Sequence, residues 1–274
     1  MENKLKIWNE AEWDLGAKKA AQQVPLKGLS SLPKMVGITP DAAKNLKWKS
    51  LKYMLFHPEG KSILKNFFKH PFQYGWRLLS SSFKSKPYQR DGDFFFYGID
   101  STEEFSTLLH ADNTIFVIGF SYCHKPFECP SGRFTDQCIR DPENPVCRQC
   151  FIGKIMNLLP EENVVKLAIP TVHYIGNKIF ETVHANPTKK VVFLITACEL
   201  TLEMFGDWGN MAGIKGIGVR LDGRICNTMR AFELSEEGIK PGLTVVLDAS
   251  KRRIIQLFSS RQSNGGTCEK VCED

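Results

Sequence analysis

The 274-residue chain has no long hydrophobic run, since none approaches the roughly 18 to 20 consecutive apolar residues that cross a bilayer. The first residues, MENKLKIWNEAEWDLG, mix acidic and basic side chains and have no apolar core segment, which is not the pattern of a secretory signal. We therefore expect a cytoplasmic protein, in a compartment where thiols are kept reduced.

Common catalytic signatures are also missing. The sequence has no HExxH zinc-protease motif, no Walker sequence and no convincing Ser-His-Asp order. The glycine-rich stretch from Gly206 to Gly218 lacks the strand–GxGxxG–helix context of a dinucleotide site, so we interpret it as turns. Cysteine is therefore the residue type that indicates a function in this sequence.

Cysteine is absent from the first 122 residues and then concentrated, because five of the nine fall within 28 residues. The nine are Cys123, Cys129, Cys138, Cys147, Cys150, Cys198, Cys226, Cys268 and Cys272. In a reducing compartment, such a cluster indicates metal ligation or redox work. The last two lie in a polar tail and form either an incidental pair or a metal-delivery or resolving pair.

The spacing of the first five cysteines suits a metal centre. Cys147 and Cys150 are two residues apart, which turns both thiolates toward one ion or one cluster edge. Cys129 is followed by Pro130, as in the Cys-Pro of bacterial ferredoxins. The number of cysteines, with no histidine at zinc-finger spacing, favours one or two [4Fe–4S] clusters. A structural zinc site, or a metal-free dithiol at Cys147 and Cys150, also fits.

Three cysteines follow predicted strands. Cys123 follows TIFVIGF, Cys198 ends VVFLITA, and Cys226 comes after GVRLDGRI. Open α/β sheets bind ligands at the carboxyl ends of their strands, so we expect these thiols to converge there. Cys198, Cys226 and the flanking carboxylates Glu199 and Asp222 are the candidate catalytic groups. The alternatives are inert buried cysteines and solvated or capping carboxylates.

His124 is adjacent to the first of these cysteines. It is a candidate ligand or proton donor, although a partly exposed neighbour without a role is the simpler interpretation.

The order of these motifs resembles a cysteine-rich archaeal and bacterial family called domain of unknown function 116. The resemblance covers roughly residues 112–235 and rests on a strand ending in cysteine, Cys-Pro, Cys-x2-Cys with FIGKI, the step ACE, and GIGVRL before Cys-x-Thr. It implies that six cysteines act together, with Cys138 a candidate to complete the set: Cys123, Cys129, Cys147, Cys150, Cys198 and Cys226. Members often begin with membrane-spanning segments, which this chain replaces with a basic region.

Short apolar runs separated by helix-length segments predict an α/β fold, a mainly parallel sheet flanked by helices. The predicted strands are DFFFYGI, NTIFVIGF, NVVKLAI, KKVVFLIT and GIGVRL, and the helices are Gln149–Leu159, Val172–His184 and Glu199–Trp208. The run GLTVVLDASKRRIIQLFSS predicts two further strands in an antiparallel edge. We expect a basic helical region over 1–90, the α/β domain over 91–262 and a flexible tail over 263–274.

The N-terminal third is strongly basic. Residues 1–90 contain 17 Lys and Arg against 6 Asp and Glu, whereas the remainder contains 19 against 24. Aromatic residues are interleaved with these charges over residues 44–90, as in segments that dock on an anionic membrane surface, here the inner face. An acidic protein partner or nucleic acid would also suit the charge. The simplest alternative is that the aromatics pack on the body beneath a solvated lysine face.

These features predict an iron–sulfur protein with a redox or sulfur-transfer role and an electron-donor partner. Its metal ligands would be drawn from Cys123, Cys129, Cys138, Cys147, Cys150, Cys198 and Cys226. The rival prediction is a zinc-stabilised binding module that docks a partner through its basic region.

Overall fold

The computed structural model describes residues 37–83, 87–240 and 242–258 of the chain. The elements in these residues are α1 (Pro40–Ala43), α2 (Leu46–Phe56), α3 (Gly60–Phe67), α4 (Pro71–Ser82), β1 (Gln89–Asp91), β2 (Phe94–Tyr97), α5 (Thr102–Leu109), β3 (Thr114–Ser121), a 3₁₀ turn (Tyr122–His124), α6 (Pro145–Gln149), α7 (Phe151–Leu158), β4 (Val164–Ile169), α8 (Val172–Ala185), β5 (Lys190–Ala197), α9 (Glu199–Ala212), β6 (Lys215–Arg220), β7 (Asp222–Gly223), α10 (Met229–Glu236), β8 (Thr244–Val245) and α11 (Asp248–Phe258).

Six of the strands form one mixed sheet in the order β1-β2-β6-β5-β3-β4. The four strands from β6 to β4 are parallel, and the hairpin of β1 and β2 joins them antiparallel to β6. The predicted α/β class, with a mainly parallel sheet flanked by helices and a helical basic region, is confirmed. The carboxyl ends of β3, β5 and β6 therefore lie along one edge of the sheet.

The inner strands of the sheet are mostly apolar because both of its faces are covered. In β3, Phe116 and Ile118 pack into one core, whereas Val117 between them packs into the other. In β5, Leu194 and Phe193 divide in the same way. This alternation is the period-2 geometry of a strand, and it explains why the sequence shows continuous apolar runs.

The basic helices rest on the outer side of the α/β part of the chain. Met54, Ile63 and Tyr74 from α2, α3 and α4 form a third apolar cluster with Phe180 of α8 and Met211 of α9. The helices break at two X-Pro steps, His57-Pro58 and His70-Pro71, where proline lacks an amide donor and disfavours helix in the preceding residue.

Two local predictions were wrong. The stretch after Gly206 is not a series of turns, because α9 runs on to Ala212 and ends at Gly213. Gly213 adopts the left-handed conformation (φ 73°) that closes a helix.

The run after Thr244 is also not a pair of strands. It contributes only the two-residue β8, which pairs with β7, and then helix α11. Asp248 lies in the first turn, where a carboxylate favours the helix dipole. Ile254, Ile255 and Phe258 are buried together, which is the spacing of one helical face. The antiparallel edge of the main sheet is instead the hairpin of β1 and β2.

Among the described residues, no helix combines the length and apolarity needed to cross a membrane. The predicted tail over 263–274, with Cys268 and Cys272, lies outside the described residues, as does the first part of the predicted basic region.

Alanine substitution in α11 tests the helical assignment. In a strand, Ile255 would face away from Ile254 and Phe258, whereas in the helix it is 2% exposed. We expect Ile255→Ala to lower the free energy of unfolding by about 2–5 kcal/mol in urea titrations, since it leaves a cavity in the core. Arg252→Ala, on the exposed side of the same helix, is the matched control. Equal stability of the two variants would contradict the helix.

Candidate functional site

Four cysteines meet in the long loop that follows β3. Cys129, Cys138, Cys147 and Cys150 line one cavity together with the stem of Lys125. The cavity has a volume of about 10 Å³, close to the space that one water occupies, about 10–15 Å³. This space is smaller than a cubane cluster, so the four side chains have to turn apart to hold one.

The Cys-x2-Cys turn has a clear local cause. The Asn144 side chain accepts hydrogen bonds from the amides of Val146 (2.9 Å) and Cys147 (3.3 Å), which begins α6. Cys150 then leaves helical geometry and separates α6 from α7. A Cβ on Gly153 would lie 2.8 Å from the Cys147 carbonyl oxygen, so only glycine lets α7 pass this close to the turn. The two thiols are thereby directed into the same cavity.

Backbone amides favour the thiolate form of three of the four cysteines. The amide of Ser131 lowers the pKa of Cys129, that of Asp141 lowers the pKa of Cys147, and those of Ile152 and Gly153 lower the pKa of Cys150, each against the larger effect of burial. Burial, as the largest effect, nevertheless raises the pKa of the Cys147 thiol to about 11 and that of Cys150 to about 12. Without a metal these thiols are protonated at neutral pH, so metal binding would release protons. Amide-to-sulfur hydrogen bonds are a feature of iron–sulfur sites.

The buried Lys125 side chain stabilises this loop through hydrogen bonds to its backbone. It is 1% exposed. Its ammonium donates to the carbonyls of Gln137 (2.7 Å), Thr135 (2.8 Å) and Gly132 (3.2 Å). Burial lowers the pKa of Lys125, and the neighbouring thiols of Cys129, Cys138 and Cys150 favour its charged form. A buried cation beside four thiols offsets the negative charge that a metal-thiolate centre would carry.

The remaining three predicted ligands form a second group at the carboxyl edge of the sheet. Cys123 lies in the 3₁₀ turn after β3, Cys198 precedes α9, and Cys226 follows β7. Lys240 Nζ donates to Cys226 Sγ at 3.0 Å, and Cys198 Sγ lies 3.2 Å from Thr201 Oγ1. The seven cysteines predicted as one set are therefore divided by the fold into four in the loop and three at the strand ends.

The three thiols of the second group differ in acidity. A hydrogen bond from the Cys198 thiol, and then the charge of Lys240 against the opposing effect of burial, hold the pKa of Cys226 below its ordinary value. The same hydrogen bond and burial hold the pKa of Cys198 well above its ordinary value. Burial also raises the pKa of Cys123. Cys226 is therefore the thiol of the group that ionises most readily.

The candidate carboxylates face arginines. Glu199 accepts from Arg90 Nη1 (2.6 Å) and Arg220 Nε (2.9 Å), and Asp222 lies 3.9 Å from Arg220 Nη1. Both are buried, and this ion-pair network ties the start of α9 to the ends of β1 and β6. Glu199 and Asp222 are thus held in one buried ion-pair network by Arg220.

His124 is buried instead of partly exposed. Its ring lies between those of Phe120 (6.5 Å between centroids) and Phe151 (5.7 Å). Burial first, and then Lys251, lower its pKa to about 3, so the ring is neutral at physiological pH.

Sequence reasoning missed the buried cations of the site. Lys125, Arg133 and Lys240 are each at most 5% exposed. The Arg133 guanidinium donates to the carbonyls of Cys123 (3.0 Å), Lys240 (2.8 Å) and Gly242. Nothing in the sequence separates these side chains from solvated surface charges, because burial of a cation depends on which carbonyls and thiols the fold brings to it.

Comparison with family models, curated proteins and solved structures found no match to this chain. The resemblance to domain of unknown function 116 therefore stays a prediction from ordered motifs, and function has to be argued from the site.

The second group yields a test in the metal-free protein. Lys240→Met removes the ammonium that favours the Cys226 thiolate, so we expect its pKa to rise and the ultraviolet absorbance of thiolate at pH 7 to fall. Lys65→Met, at an exposed lysine, should leave that absorbance unchanged. An identical thiolate signal in both variants would show that Lys240 does not stabilise the Cys226 anion.

Proposed function

We propose that this is an iron–sulfur protein in which Cys129, Cys138, Cys147 and Cys150 hold one [4Fe–4S] cluster. The observation that carries the proposal is that these four thiols, and no others among the described residues, line the one loop cavity. Four cysteine ligands are what such a cluster needs. When bound, the cluster supplies one-electron redox chemistry, and the chain holds it.

The separation of the sulfurs supports a cluster over a single zinc ion. Tetrahedral thiolates about 2.3 Å from zinc lie about 3.8 Å apart. In the described part of the chain, the residues whose ligand atoms all lie within 4.8 Å of one another are His57, Glu59 and His173, and no three cysteines meet that limit. A cubane cluster binds one thiolate at each of four separate irons, so it accepts sulfurs that lie farther apart.

Charge supports a metal centre at these four thiols, and tetrathiolate zinc and a [4Fe–4S]²⁺ cluster carry the same net charge. A [4Fe–4S]²⁺ core with four thiolates carries a net charge of −2, and burying it without a counter-ion would be costly. Lys125 supplies a buried positive charge beside three of the four sulfurs. The backbone amides of Ser131, Ile152 and Gly153 also favour the thiolate forms, because they lower the pKa of Cys129 and Cys150.

The second group keeps its thiols free in this proposal. Lys240 Nζ lies 3.0 Å from Cys226 Sγ and already neutralises the thiolate, and an ammonium at that distance repels an incoming metal cation. Cys226, with Cys198 as hydrogen-bond donor, is then the thiolate available for redox or sulfur-transfer work. An external electron donor would be the partner of the cluster.

Metal analysis of cysteine variants tests the assignment of ligands. Protein purified without oxygen should contain about four irons and four acid-labile sulfides per chain. We expect Cys129→Ala, Cys138→Ala and Cys147→Ala to lose most of this iron. Cys198→Ala and Cys226→Ala, matched in chemistry but from the second group, should retain it.

Three outcomes would overturn the proposal. One zinc per chain without sulfide, lost on changing Cys129 or Cys147, would establish the zinc-stabilised alternative. About eight irons, or loss of iron on changing Cys198 or Cys226, would mean that the second group binds a cluster as well.

We also propose that the basic helices dock the protein on an anionic membrane surface, on the cytoplasmic side. Seven of the eight exposed large apolar side chains among the described residues belong to this region: Trp48, Phe56, Phe68, Phe72, Trp76, Leu79 and Phe83. Four of them, Phe72, Trp76, Leu79 and Phe83, recur every three or four residues and thus share one face of α4 and its end. Contiguous exposed apolar surface marks an interaction site.

The charge of the region favours lipid over a neutral partner. Residues 37–83 hold eight Lys and Arg against two Asp and Glu. Six lysines are exposed: Lys44, Lys47, Lys52, Lys61, Lys65 and Lys69. Each basic residue near an anionic surface contributes about 1 kcal/mol, and Trp and Phe suit the interface. The expected packing of the aromatics on the body holds for Phe67 and Tyr74, but the seven exposed side chains depart from it.

Vesicle binding tests this second proposal. The full chain should sediment with phosphatidylserine-containing vesicles, and less so at high salt, because the attraction is screened. Phe72→Ser with Trp76→Ser should weaken binding about tenfold or more, since each buried aromatic contributes roughly 1.5–3 kcal/mol. Ile139→Ser removes the exposed large apolar side chain that lies outside the region and is the control. Equal binding of both variants, or binding to neutral vesicles alone, would contradict the proposal.

A further inference from the structure

Two histidines and a glutamate meet at a place that is independent of the cysteines. His57 follows α2, Glu59 precedes α3, and His173 lies in the first turn of α8. One ligand atom from each lies within 4.8 Å of the other two. The connection between α2 and α3 and the first turn of α8 bring the side chains together, so the arrangement is not a by-product of one helix face.

His173 lacks the partners that a buried imidazole normally has. Its ring is 0% exposed, and neither ring nitrogen makes a hydrogen bond. Leaving a buried polar group without a hydrogen bond is energetically unfavourable. Its contacts are ring to ring: with His57, stacked at 4.6 Å and 21°, and with Tyr53 at 5.3 Å. Stacked rings offer no lone pair or proton to the imidazole nitrogens.

A metal ion bound to one ring nitrogen of His173 would give both nitrogens a partner, because the other could donate to a backbone carbonyl. The Met54 carbonyl lies near His173 and favours its protonated form, although it is not in hydrogen-bond geometry. Histidines that bind a metal through one nitrogen commonly direct the other N–H to a backbone carbonyl.

Glu59 connects the two rings to solvent. It is exposed, and with Thr171, Tyr174 and Glu236 it lines an open groove of about 820 Å³. The Glu59 amide donates to His57 Nδ1 at 3.3 Å, a long contact that a metal on that nitrogen would replace. The third ligand thus faces a space from which an ion, water and a small substrate can enter.

We propose that His57, Glu59 and His173 bind one divalent zinc ion, with its fourth position open to the groove. Two histidines and one glutamate with an open position form a common catalytic zinc set. Tetrahedral ligands about 2.0–2.2 Å from zinc lie about 3.3–3.6 Å apart, so side-chain rotation closes the remaining distance. The open position would suit a water or a substrate oxygen.

Calorimetric titration with zinc chloride, using the full chain, tests the site. Wild type and variants share every cysteine, so a difference between them isolates this site from thiolate binding. We expect Glu59→Gln and His57→Asn each to lose one zinc equivalent, or to bind it about 100-fold or more weakly, since even residues that only orient metal ligands change affinity 10–100-fold. His110→Asn and Glu162→Gln, at exposed positions elsewhere, should bind as wild type does.

Glu59→Gln is an exposed and isosteric change, so its circular dichroism spectrum should match that of wild type and show that the fold is intact. Wild-type stoichiometry and affinity in both ligand variants would overturn the proposal. So would a wild-type protein whose zinc binding disappears entirely on changing cysteines.

Discussion

A buried guanidinium ties together the two groups of cysteines. Arg133 belongs to the loop that carries Cys129 and Cys138, yet it donates to the carbonyls of Cys123 and Lys240, which belong to the strand-end group. Its guanidinium carbon also lies 4.5 Å from the centre of the Phe127 ring. Because burying an unpaired charge is costly, these carbonyls fix the loop against the sheet. The separation of cysteines into four and three depends on this anchoring.

The cysteines of the two groups have different roles, which depend on the lysine beside each group. In the loop, Lys125 donates its hydrogen bonds to carbonyl oxygens, and backbone amides favour the thiolate form of Cys150. At the strand ends, Lys240 donates directly to Cys226, so its positive charge stabilises that one thiolate. The first arrangement leaves four thiols converging on a cavity, as a metal centre requires. The second leaves one stabilised anion beside one protonated thiol, Cys198, as thiol chemistry requires.

The sequence predicted the sheet well, since strands buried on both faces carry continuous apolar runs such as the one before Cys123. It failed at α11, where the short apolar pair Ile254-Ile255 fits a strand as well as a helix. It also identified every cysteine of the candidate site but not their division, because chain spacing does not reveal that a loop folds away from a strand end. Lys240 and His173 carried no signal, since burial decides their roles.

Native mass spectrometry of anaerobically purified protein tests the central claim most directly, because it counts intact centres on one chain. The account predicts one cluster per chain, a mass addition of four irons and four sulfides, with or without one further zinc at His57, Glu59 and His173. Treatment with a thiol-alkylating reagent in the folded state should leave that mass addition in place, since the strand-end thiols do not hold it. A mass addition of one zinc without a cluster, of two clusters or of no metal at the cysteines would contradict the account.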